Sequence, residues 1–269
     1  YKNIYNKYEG EGNMEALILV LFLLIMILLG LEAYQVKRDR ALLQHVVYVN
    51  GIRGKSTVTR MIAAGLKSGG WSVFCKTTGT VPRLIGTDGV ERPLRRRGKA
   101  NIREQARVMR MAVREHAQVL VIECMAVDPF LQEISQRKIV RSDIGVITNV
   151  RLDHTEEMGL TLEEICDSLS RTIPEHGILY TADTQFWGQM VRNAEKVGAR
   201  VELSRPADDL PNFDFPENVA LALAVCGELG VDREAALAGI LSYQPDPYAL
   251  SAFRLPQGAL FINAMAVND

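Results

Sequence analysis

Cysteine and histidine are scarce in this chain, and their spacing argues against the commonest sites that are built from them. The four cysteines are far apart and form no Cys-x-x-Cys pair, so a zinc site is not indicated. Two of them, Cys75 and Cys124, lie in or beside apolar runs that are typical of core strands. We therefore expect reduced, buried thiols in a cytosolic body rather than a disulfide framework. The four histidines are equally scattered, so only a histidine in a specific context would carry chemistry.

A large net charge is also lacking. Lysine and arginine number 31 against 32 aspartates and glutamates, which gives a net charge of −1 at pH 7. This balance gives no indication of nucleic acid, and we predict no nucleic-acid partner. The chain has 269 residues, of which 48% are hydrophobic and 23% charged, as in an ordinary globular protein. That length is enough for one large domain or two small ones.

One long apolar run lies near the N-terminus. Residues 14–31 carry a single charge, Glu15, at the edge of the run. A helix that spans a bilayer needs ~20 apolar residues, with a lower limit of roughly 17. No small-residue cleavage site follows, which favours a membrane anchor over the alternative of a signal peptide. The basic residues Lys37, Arg38 and Arg40 predict that the following body is cytoplasmic.

Beyond this run, short β-branched segments alternate with helical stretches. The predicted strands cover residues 46–50, 71–75, 119–123, 144–148, 177–180 and 201–203. The predicted helices cover residues 56–68, 102–115, 162–171, 183–196, 217–229 and 233–241, and a further apolar run covers 259–263. Strands separated by helices of this length are typical of an α/β fold with a largely parallel sheet and helices on both faces.

The first predicted strand continues directly into a glycine-containing loop and a helix, over residues Gly51 to Thr57. Glycines let backbone N–H groups converge on a phosphate, and the helix N-terminus adds a partial positive charge. Lys55 would then contact the β- and γ-phosphates of ATP, and the Ser56 hydroxyl would hold Mg²⁺. The alternative is a tight strand–helix turn whose glycines serve packing alone. Only Ile52 and Arg53 separate the two glycines, whereas the general P-loop has four residues there.

The shortened loop resembles the Gly-x-x-Gly-Lys-Thr/Ser loop of the Mur ligases and folylpolyglutamate synthetases. Residues 77–80 resemble the Gly-Thr loop of that superfamily, and Glu123 places a carboxylate at the end of a buried strand. Residues 147–159 are similar to its Thr-Asn…Asp-His…Gly segment, and residues 216–224 to its His-Asn…Ala-Ala helix. These motifs cover most of the chain after the apolar run. The resemblance implies a P-loop, Mur-ligase-type central domain preceded by one transmembrane helix.

Within the superfamily, residues 51–60 and 95–105 resemble the ligase subunit of poly-γ-glutamate (capsule) synthases. The membrane anchor agrees, because soluble Mur ligases have none. The resemblance implies an ATP-dependent amide ligase that activates a glutamate carboxylate as an acyl phosphate and joins it to the amine of another glutamate. It also implies poly-γ-glutamate as product, membrane partner subunits of a synthase complex and a single-pass location in the cell membrane. It leaves the oligomeric state open, a homo-oligomer included.

The resemblance divides the chain into four segments. Residues 261–269 resemble the linker into the third domain of the family. We therefore expect an unassigned leader or tag over 1–13, a transmembrane anchor over 14–35, a P-loop ATP-binding ligase domain over 41–255, and the start of a further domain over 256–269.

The resemblance also implies roles for individual residues. The nucleotide would be held by Gly51, Arg53, Gly54, Lys55, Ser56, Thr57 and Asn218. Magnesium ions would be held by Ser56, Glu123 and His154, and the catalytic residues would be Lys55, Glu123 and His154. Thr80, Asn149 and Asp153 would contact substrate or shape the shell of a second Mg²⁺. The plainer alternatives are a strand-end surface residue for Glu123, a solvated loop histidine for His154 and a helix cap for Asn218.

The chain departs from the family at one point. Mur ligases and folylpolyglutamate synthetases generally carry a carbamylated lysine after the Asp-His segment, but no lysine lies between Glu156 and Glu195. Either another carboxylate replaces it, such as Glu156 or Glu163, or the second metal is held differently.

A basic run is the last feature, at Arg92, Arg95, Arg96, Arg97, Lys99 and Arg103. Such a run is either a solvated face or a surface for a polyanion. Polyglutamate carries one free carboxylate per residue, so we predict that Arg95, Arg96 and Arg97 contact substrate. Two other functions stay open from the sequence: a membrane-linked P-loop kinase, and a non-catalytic nucleotide-binding scaffold.

Overall fold

The computed structural model describes residues 2–79, 81–96, 98, 100–210, 214–245 and 251–263. The strands in these ranges are β1 His45–Asn50, β2 Val73–Thr77, β3 Arg83–Ile85, β4 Glu91–Pro93, β5 Val119–Glu123, β6 Ile144–Ile147, β7 Ile178–Thr181, β8 Arg200–Leu203, β9 Ser251–Arg254 and β10 Leu260–Asn263. The helices are α1 Lys2–Ala41, α2 Lys55–Ser68, α3 Arg103–Arg114, α4 Pro129–Ile134, α5 Thr155–Met158, α6 Leu162–Leu169, α7 Trp187–Glu195, α8 Pro216–Glu228 and α9 Arg233–Leu241. A π-helical segment covers Ser135–Val140 and a 3₁₀ turn covers Ser170–Thr172.

Eight of these strands form one sheet in the order β4-β3-β2-β5-β1-β6-β7-β8. The six strands from β2 to β8 in that order are parallel, and β3 and β4 add an antiparallel edge. β1 lies between β5 and β6, with Val47 paired to Val121 on one side and to Ile144 on the other. The chain therefore changes direction across the sheet beside β1, and ligands of such sheets bind at the carboxyl ends of the strands at this point.

Helices cover both faces of the sheet, which confirms the predicted fold class. On one face α2 packs on the alternate side chains Val47, Val49, Val119 and Val121, and α8 and α9 pack on α2 in the same apolar cluster. On the other face Tyr48, Leu120 and Ile122 pack against α3, and α6 and α7 cover the end nearest β7. This cover on both faces explains why the central strands β1, β5 and β6 are almost continuously apolar.

All four cysteines are free and buried, as predicted. Burial raises the pKa of Cys75, Cys166 and Cys226 to about 12, so these thiols stay protonated at neutral pH.

Two predicted boundaries need correction, and several short elements were not predicted, among them α4, α5 and the π-helical segment. β2 begins at Val73 rather than at residue 71, because the Ser72 N–H donates to the Gln118 side chain, and the strand continues through Lys76 and Thr77. α7 begins at Trp187 rather than at residue 183, because the Asp183 carboxylate accepts hydrogen bonds from the backbone of Val150 and Phe186 and holds a loop there. The short antiparallel strands β3 and β4 were not predicted.

The first helix, α1, is apolar and solvent-exposed over residues 14–31, because nothing in the described chain packs against it there. Eighteen residues of α-helix are roughly 27 Å long at 1.5 Å per residue, close to the ~30 Å of a bilayer hydrocarbon core. Within the described residues this is the one helix that is long and apolar enough to cross a membrane. α1 is therefore the candidate membrane span, and it continues as one helix to Ala41.

The end of α1 is fixed to the body by ion pairs. Arg103 of α3 donates two hydrogen bonds of 2.6 Å to the Glu32 carboxylate, and Arg110 lies 3.3 Å from the buried Asp39 carboxylate. Arg40 forms an ion pair of 2.5 Å with the carboxylate of Asp143, the residue that precedes β6. These contacts fix the candidate span relative to α3 and β6. A separate two-stranded hairpin of β9 and β10 follows α9.

Candidate active site

A cavity of about 240 Å³ opens at the carboxyl ends of β1, β5 and β6. Its walls include Asn50, Gly51, Lys55, Thr78, Arg96 and His154. A larger hollow of about 450 Å³ lies between β8 and α8, but none of the predicted functional residues lines it. We take the smaller cavity as the candidate active site, because it lies at the point where this sheet topology places ligands.

The phosphate loop is shaped by its two glycines. Gly51 has a φ of 125°, and a Cβ atom at this position would lie 2.1 Å from Oγ1 of Thr148. Gly54 has a φ of 80° and immediately precedes α2, with the Asn218 amide against it. Both positions therefore require glycine, the first for space as well as for its backbone conformation.

The Lys55 side chain folds back over the loop, so that its ammonium group contacts the backbone of the loop. Its Nζ atom donates to the backbone carbonyls of Gly51 at 2.8 Å and Ile52 at 3.1 Å. The side chain therefore lies on the concave side of the loop and lines the cavity. A cation held at this position, beside the N-terminus of α2, favours binding of a polyphosphate anion.

Ser56 and Glu123, predicted to act together, are in direct contact. The Ser56 hydroxyl donates to Oε2 of Glu123 at 2.8 Å, and the Thr78 backbone N–H donates to the same oxygen at 2.7 Å. Glu123 ends β5 and is 2% exposed, so it is no strand-end surface residue. The Gln105 amide also donates to the Glu123 backbone carbonyl at 3.0 Å. The carboxylate is thus fixed beside the phosphate loop.

Asn149 holds the backbone of the phosphate loop. Its Oδ1 accepts from the Arg53 N–H at 3.0 Å, and its Nδ2 donates to the Arg53 carbonyl at 3.0 Å. The Thr148 hydroxyl donates to the same carbonyl at 2.6 Å. These bonds join the segment after β6 to the loop, so the structure gives Asn149 a loop-positioning contact that the sequence did not predict.

We expect Asn149→Ala to weaken nucleotide binding about 10- to 100-fold while the protein stays folded, since the change removes two hydrogen bonds that order the loop. Isothermal titration with ADP and with a non-hydrolysable ATP analogue measures this loss. Asn193→Ala, on the exposed side of α7, is the matched control. Wild-type affinity in Asn149→Ala would show that the loop keeps its shape without this residue.

Asp153 and His154 lie next to the loop but are more open to solvent. Asp153 Oδ1 accepts from the His154 N–H at 2.8 Å, and its other oxygen lies 3.4 Å from the Arg53 guanidinium. The His154 side chain is 47% exposed and lines the cavity. His154 has a φ of 49°, so it sits in a left-handed turn at the start of α5. The predicted role of His154 as a metal ligand stays a prediction.

The remaining predicted nucleotide residues lie around the same loop. Thr57 is half-buried in the first turn of α2. Asn218 lies in the first turn of α8, and its amide oxygen is 3.0 Å from where a Cβ atom on Gly54 would lie; its predicted contact with adenine stays a prediction.

The basic residues predicted to bind substrate separate into distinct positions. Arg95 is exposed, whereas Arg96 lines the cavity and pairs with Glu104. Arg97 and Thr80 lie outside the described residues.

Two glutamates were suggested as replacements for the carbamylated lysine that the family generally carries. Glu156 on α5 and Glu163 on α6 are both exposed to solvent. Among the described residues, no group of three or more His, Cys, Asp or Glu side chains is arranged to hold a metal ion. The structure therefore gives no support to either glutamate as a replacement.

Two residues near Glu123 were missed by the sequence reasoning. Lys76 and Gln105 are fully buried and bonded to each other at 3.2 Å. The one available signal was a lysine inside a strand sequence, since a buried lysine requires a partner.

A central parallel strand that continues through a glycine loop into a helix places this molecule in the class of P-loop α/β proteins. The chain belongs to the Mur ligase middle domain family, whose model matches residues 49–205.

Two curated relatives are capsule proteins. The chain is 41% identical over 236 residues to the capsule biosynthesis protein CapB of Bacillus anthracis, covering 83% of this chain and 51% of the relative. It is 40% identical over 235 residues to the PGA synthase CapB of Bacillus subtilis (strain 168), covering 83% and 60%. The chain thus spans between half and two thirds of the length of these relatives.

Solved structures share the fold. A bifunctional folylpolyglutamate synthase/dihydrofolate synthase from Yersinia pestis CO92 superposes with a TM-score of 0.64 at 18% identity, covering 86% of this chain and 66% of the other. A bifunctional enzyme of the same description, solved with Mn, AMPPNP and L-glutamate bound, gives a TM-score of 0.61 at 17% identity, with the same coverage. These likenesses show the fold.

Proposed function

We propose that this chain is the nucleotide-binding and carboxylate-activating part of an ATP-dependent amide ligase that elongates poly-γ-glutamate at a membrane. The observation that carries the proposal is the contact of Ser56 with the buried Glu123 beside a phosphate loop. Identity of 40% and 41% to two capsule proteins supports glutamate as the substrate class.

The proposed reaction has two steps. A glutamate carboxylate oxygen attacks the γ-phosphorus of ATP, so that ADP leaves and an acyl phosphate forms. The amine of a second glutamate then attacks the acyl carbon, phosphate leaves with the bonding electron pair, and the amine loses a proton. Phosphoryl transfer of this kind requires mainly positioning and neutralisation of charge. Lys55 and the loop N–H groups supply both at the γ-phosphate.

Mg²⁺ is the proposed metal, and the residues present fit it. Mg²⁺ prefers hard oxygen ligands and is usually bound by one or two carboxylates together with substrate phosphates and water. The Ser56 hydroxyl and the Glu123 carboxylate supply two such oxygens beside the loop. Bound there, Mg²⁺ would neutralise charge on the phosphates. Because Thr78 also donates to Glu123, the carboxylate keeps one orientation.

The location of the reaction follows from the first helix. We propose that α1 spans the membrane with the catalytic body on the cytoplasmic side, where ATP is available. The ion pairs of Glu32, Asp39 and Arg40 hold the body close to the membrane surface. We also propose that the exposed Arg95 contacts the anionic polymer and that further membrane subunits complete the synthase, since one helix forms no path for a polymer.

The test measures the release of ADP and phosphate from ATP. It uses membranes that contain the complete protein co-expressed with the proposed membrane subunits of the synthase. We expect release to depend on added glutamate, and Glu123→Gln to lower it at least about 100-fold, since the change removes the carboxylate charge that would hold Mg²⁺ beside the phosphates. Glu202→Gln is the matched control. It makes the same change at an exposed residue of β8 and should retain activity.

Three outcomes distinguish the alternatives. Glutamate-dependent phosphate release that Glu123→Gln abolishes supports the ligase. Transfer of phosphate to a stable product, with no free phosphate, would indicate a kinase. Nucleotide binding without turnover in the complete complex would indicate a scaffold.

A further inference from the structure

Lys76 is a charged side chain in the core that the proposed reaction does not use. It lies in β2, its side chain is 0% exposed, and burial lowers its pKa. A buried ammonium group is costly unless it is paired and hydrogen-bonded. Its Nζ atom lies 3.2 Å from Oε1 of Glu104 and donates to Oε1 of Gln105 at 3.2 Å. These partners account for the presence of a lysine in this strand.

Glu104 shares its carboxylate between two cations. Its side chain is 9% exposed at the start of α3. Oε2 accepts from Nε of Arg96 at 2.6 Å, and Oε1 accepts from Nη2 of Arg96 at 3.0 Å in addition to the contact with Lys76. Burial would raise the pKa of Glu104, but the bonds from Arg96 and Lys76 outweigh it and leave this pKa below its ordinary value. The bidentate geometry fixes the plane of the Arg96 guanidinium.

Arg96 lines the same cavity as Lys55 and His154. Its Nε and Nη2 atoms are bonded to Glu104, and no acceptor among the described residues contacts Nη1. The guanidinium is therefore held by one edge, while a second edge with two N–H groups is available. Such an edge matches the two oxygens of a carboxylate.

We propose that Arg96 binds the glutamate carboxylate that is to be phosphorylated, and that the buried Lys76–Glu104 ion pair positions it. The proposal rests on the proposed function. It assigns Arg96 to the carboxylate that reacts rather than to the free carboxylates along the polymer. The loop N–H groups and Lys55 hold the nucleotide phosphates, so the Arg96 edge serves the second anion of the reaction. Lys76 and Glu104 act through Arg96 and are positioning residues.

The test compares kinetic constants of the complete protein in membranes, with a γ-linked glutamate oligomer, glutamate and ATP as substrates. We expect Arg96→Gln and Glu104→Gln to raise KM for the oligomer about 10- to 100-fold, as expected for loss of a charge-assisted, bidentate contact. The kcat should fall much less than KM rises, and the Kd for ADP should stay within about twofold of wild type, because neither side chain contacts the phosphate loop. Arg96→Lys should restore only part of the affinity, because lysine lacks the planar edge.

Asp88→Asn is the matched control. It breaks an exposed bidentate pair with Arg92 that lies outside the cavity, and it should leave KM unchanged. An unchanged KM for the oligomer in Arg96→Gln and Glu104→Gln would overturn the proposal, and so would an equal loss of ADP affinity. A wild-type protein without glutamate-dependent turnover would instead refute the proposed function itself.

Discussion

Lys55→Met is expected to lower the rate of ATP turnover at least about 1,000-fold, because it removes the ammonium group that we propose neutralises the transferred phosphate. The Lys55 ammonium group is bonded to the Gly51 and Ile52 carbonyls and lines the cavity. Methionine keeps the length and the apolar stem of the side chain but supplies neither charge nor donors. The loop glycines and Asn149 remain, so the protein should fold normally.

The measurement is glutamate-dependent phosphate release, together with the Kd for ADP by isothermal titration. Lys67→Met, at the far end of the same helix, is the matched control and should keep its activity. Turnover within tenfold of wild type in Lys55→Met would show that the phosphates lie elsewhere, and the loop would then be a packing turn.

Gly51→Ala is expected to destabilise the protein by about 2–5 kcal/mol and to abolish nucleotide binding. A φ of 125° is unfavourable for alanine, which costs about 1–2 kcal/mol. The new methyl group would also lie 2.1 Å from the Thr148 hydroxyl and 2.8 Å from its backbone nitrogen, so the loop or β6 must shift at a further cost of about 1–3 kcal/mol. Either shift breaks the hydrogen bond from the Thr148 hydroxyl to the Arg53 carbonyl.

Gly70→Ala separates the two contributions. Gly70 has a φ of 90°, but no atom lies within 4 Å of an added Cβ. Denaturant unfolding should therefore show a smaller loss of stability in Gly70→Ala, with nucleotide affinity unchanged. Equal losses in both variants would mean that backbone conformation alone accounts for Gly51, and that the close approach to Thr148 is tolerated.

The sequence predicted the part of the fold that depends on short-range pattern. A β-branched run followed by two glycines, a lysine and a serine is sufficient to predict β1, the loop and α2, because each residue contacts its neighbours in the chain. β2 was placed two residues too early for a long-range reason. A lysine and two threonines after Cys75 resemble a strand end, and only Glu104 and Gln105, about 30 residues away, make Lys76 acceptable in the core.

In the candidate site, too, some contacts could be predicted from sequence motifs, whereas others depend on segments that are far apart in the chain. Ser56 and Glu123 were expected together, and the structure brings them within 2.8 Å, since parallel strands β1 and β5 end at one edge of the sheet. The contact of Asn149 with the Arg53 backbone required knowledge of where two loops meet, and no local pattern encodes it. Arg96 likewise differs from Arg95 in pairing with Glu104 on α3 and in lining the cavity, and neither difference can be read from the run of arginines.

The most direct test of the central claim is the transfer of oxygen from the substrate carboxylate to phosphate. The complete protein in membranes would be supplied with ATP, Mg²⁺, glutamate and a γ-linked glutamate oligomer whose carboxylates all carry ¹⁸O, and the released phosphate would be examined by mass spectrometry. Formation of an acyl phosphate requires that each phosphate released during amide formation carry one ¹⁸O atom. Unlabelled phosphate, with amide formation proceeding, would contradict activation of the carboxylate by phosphorylation.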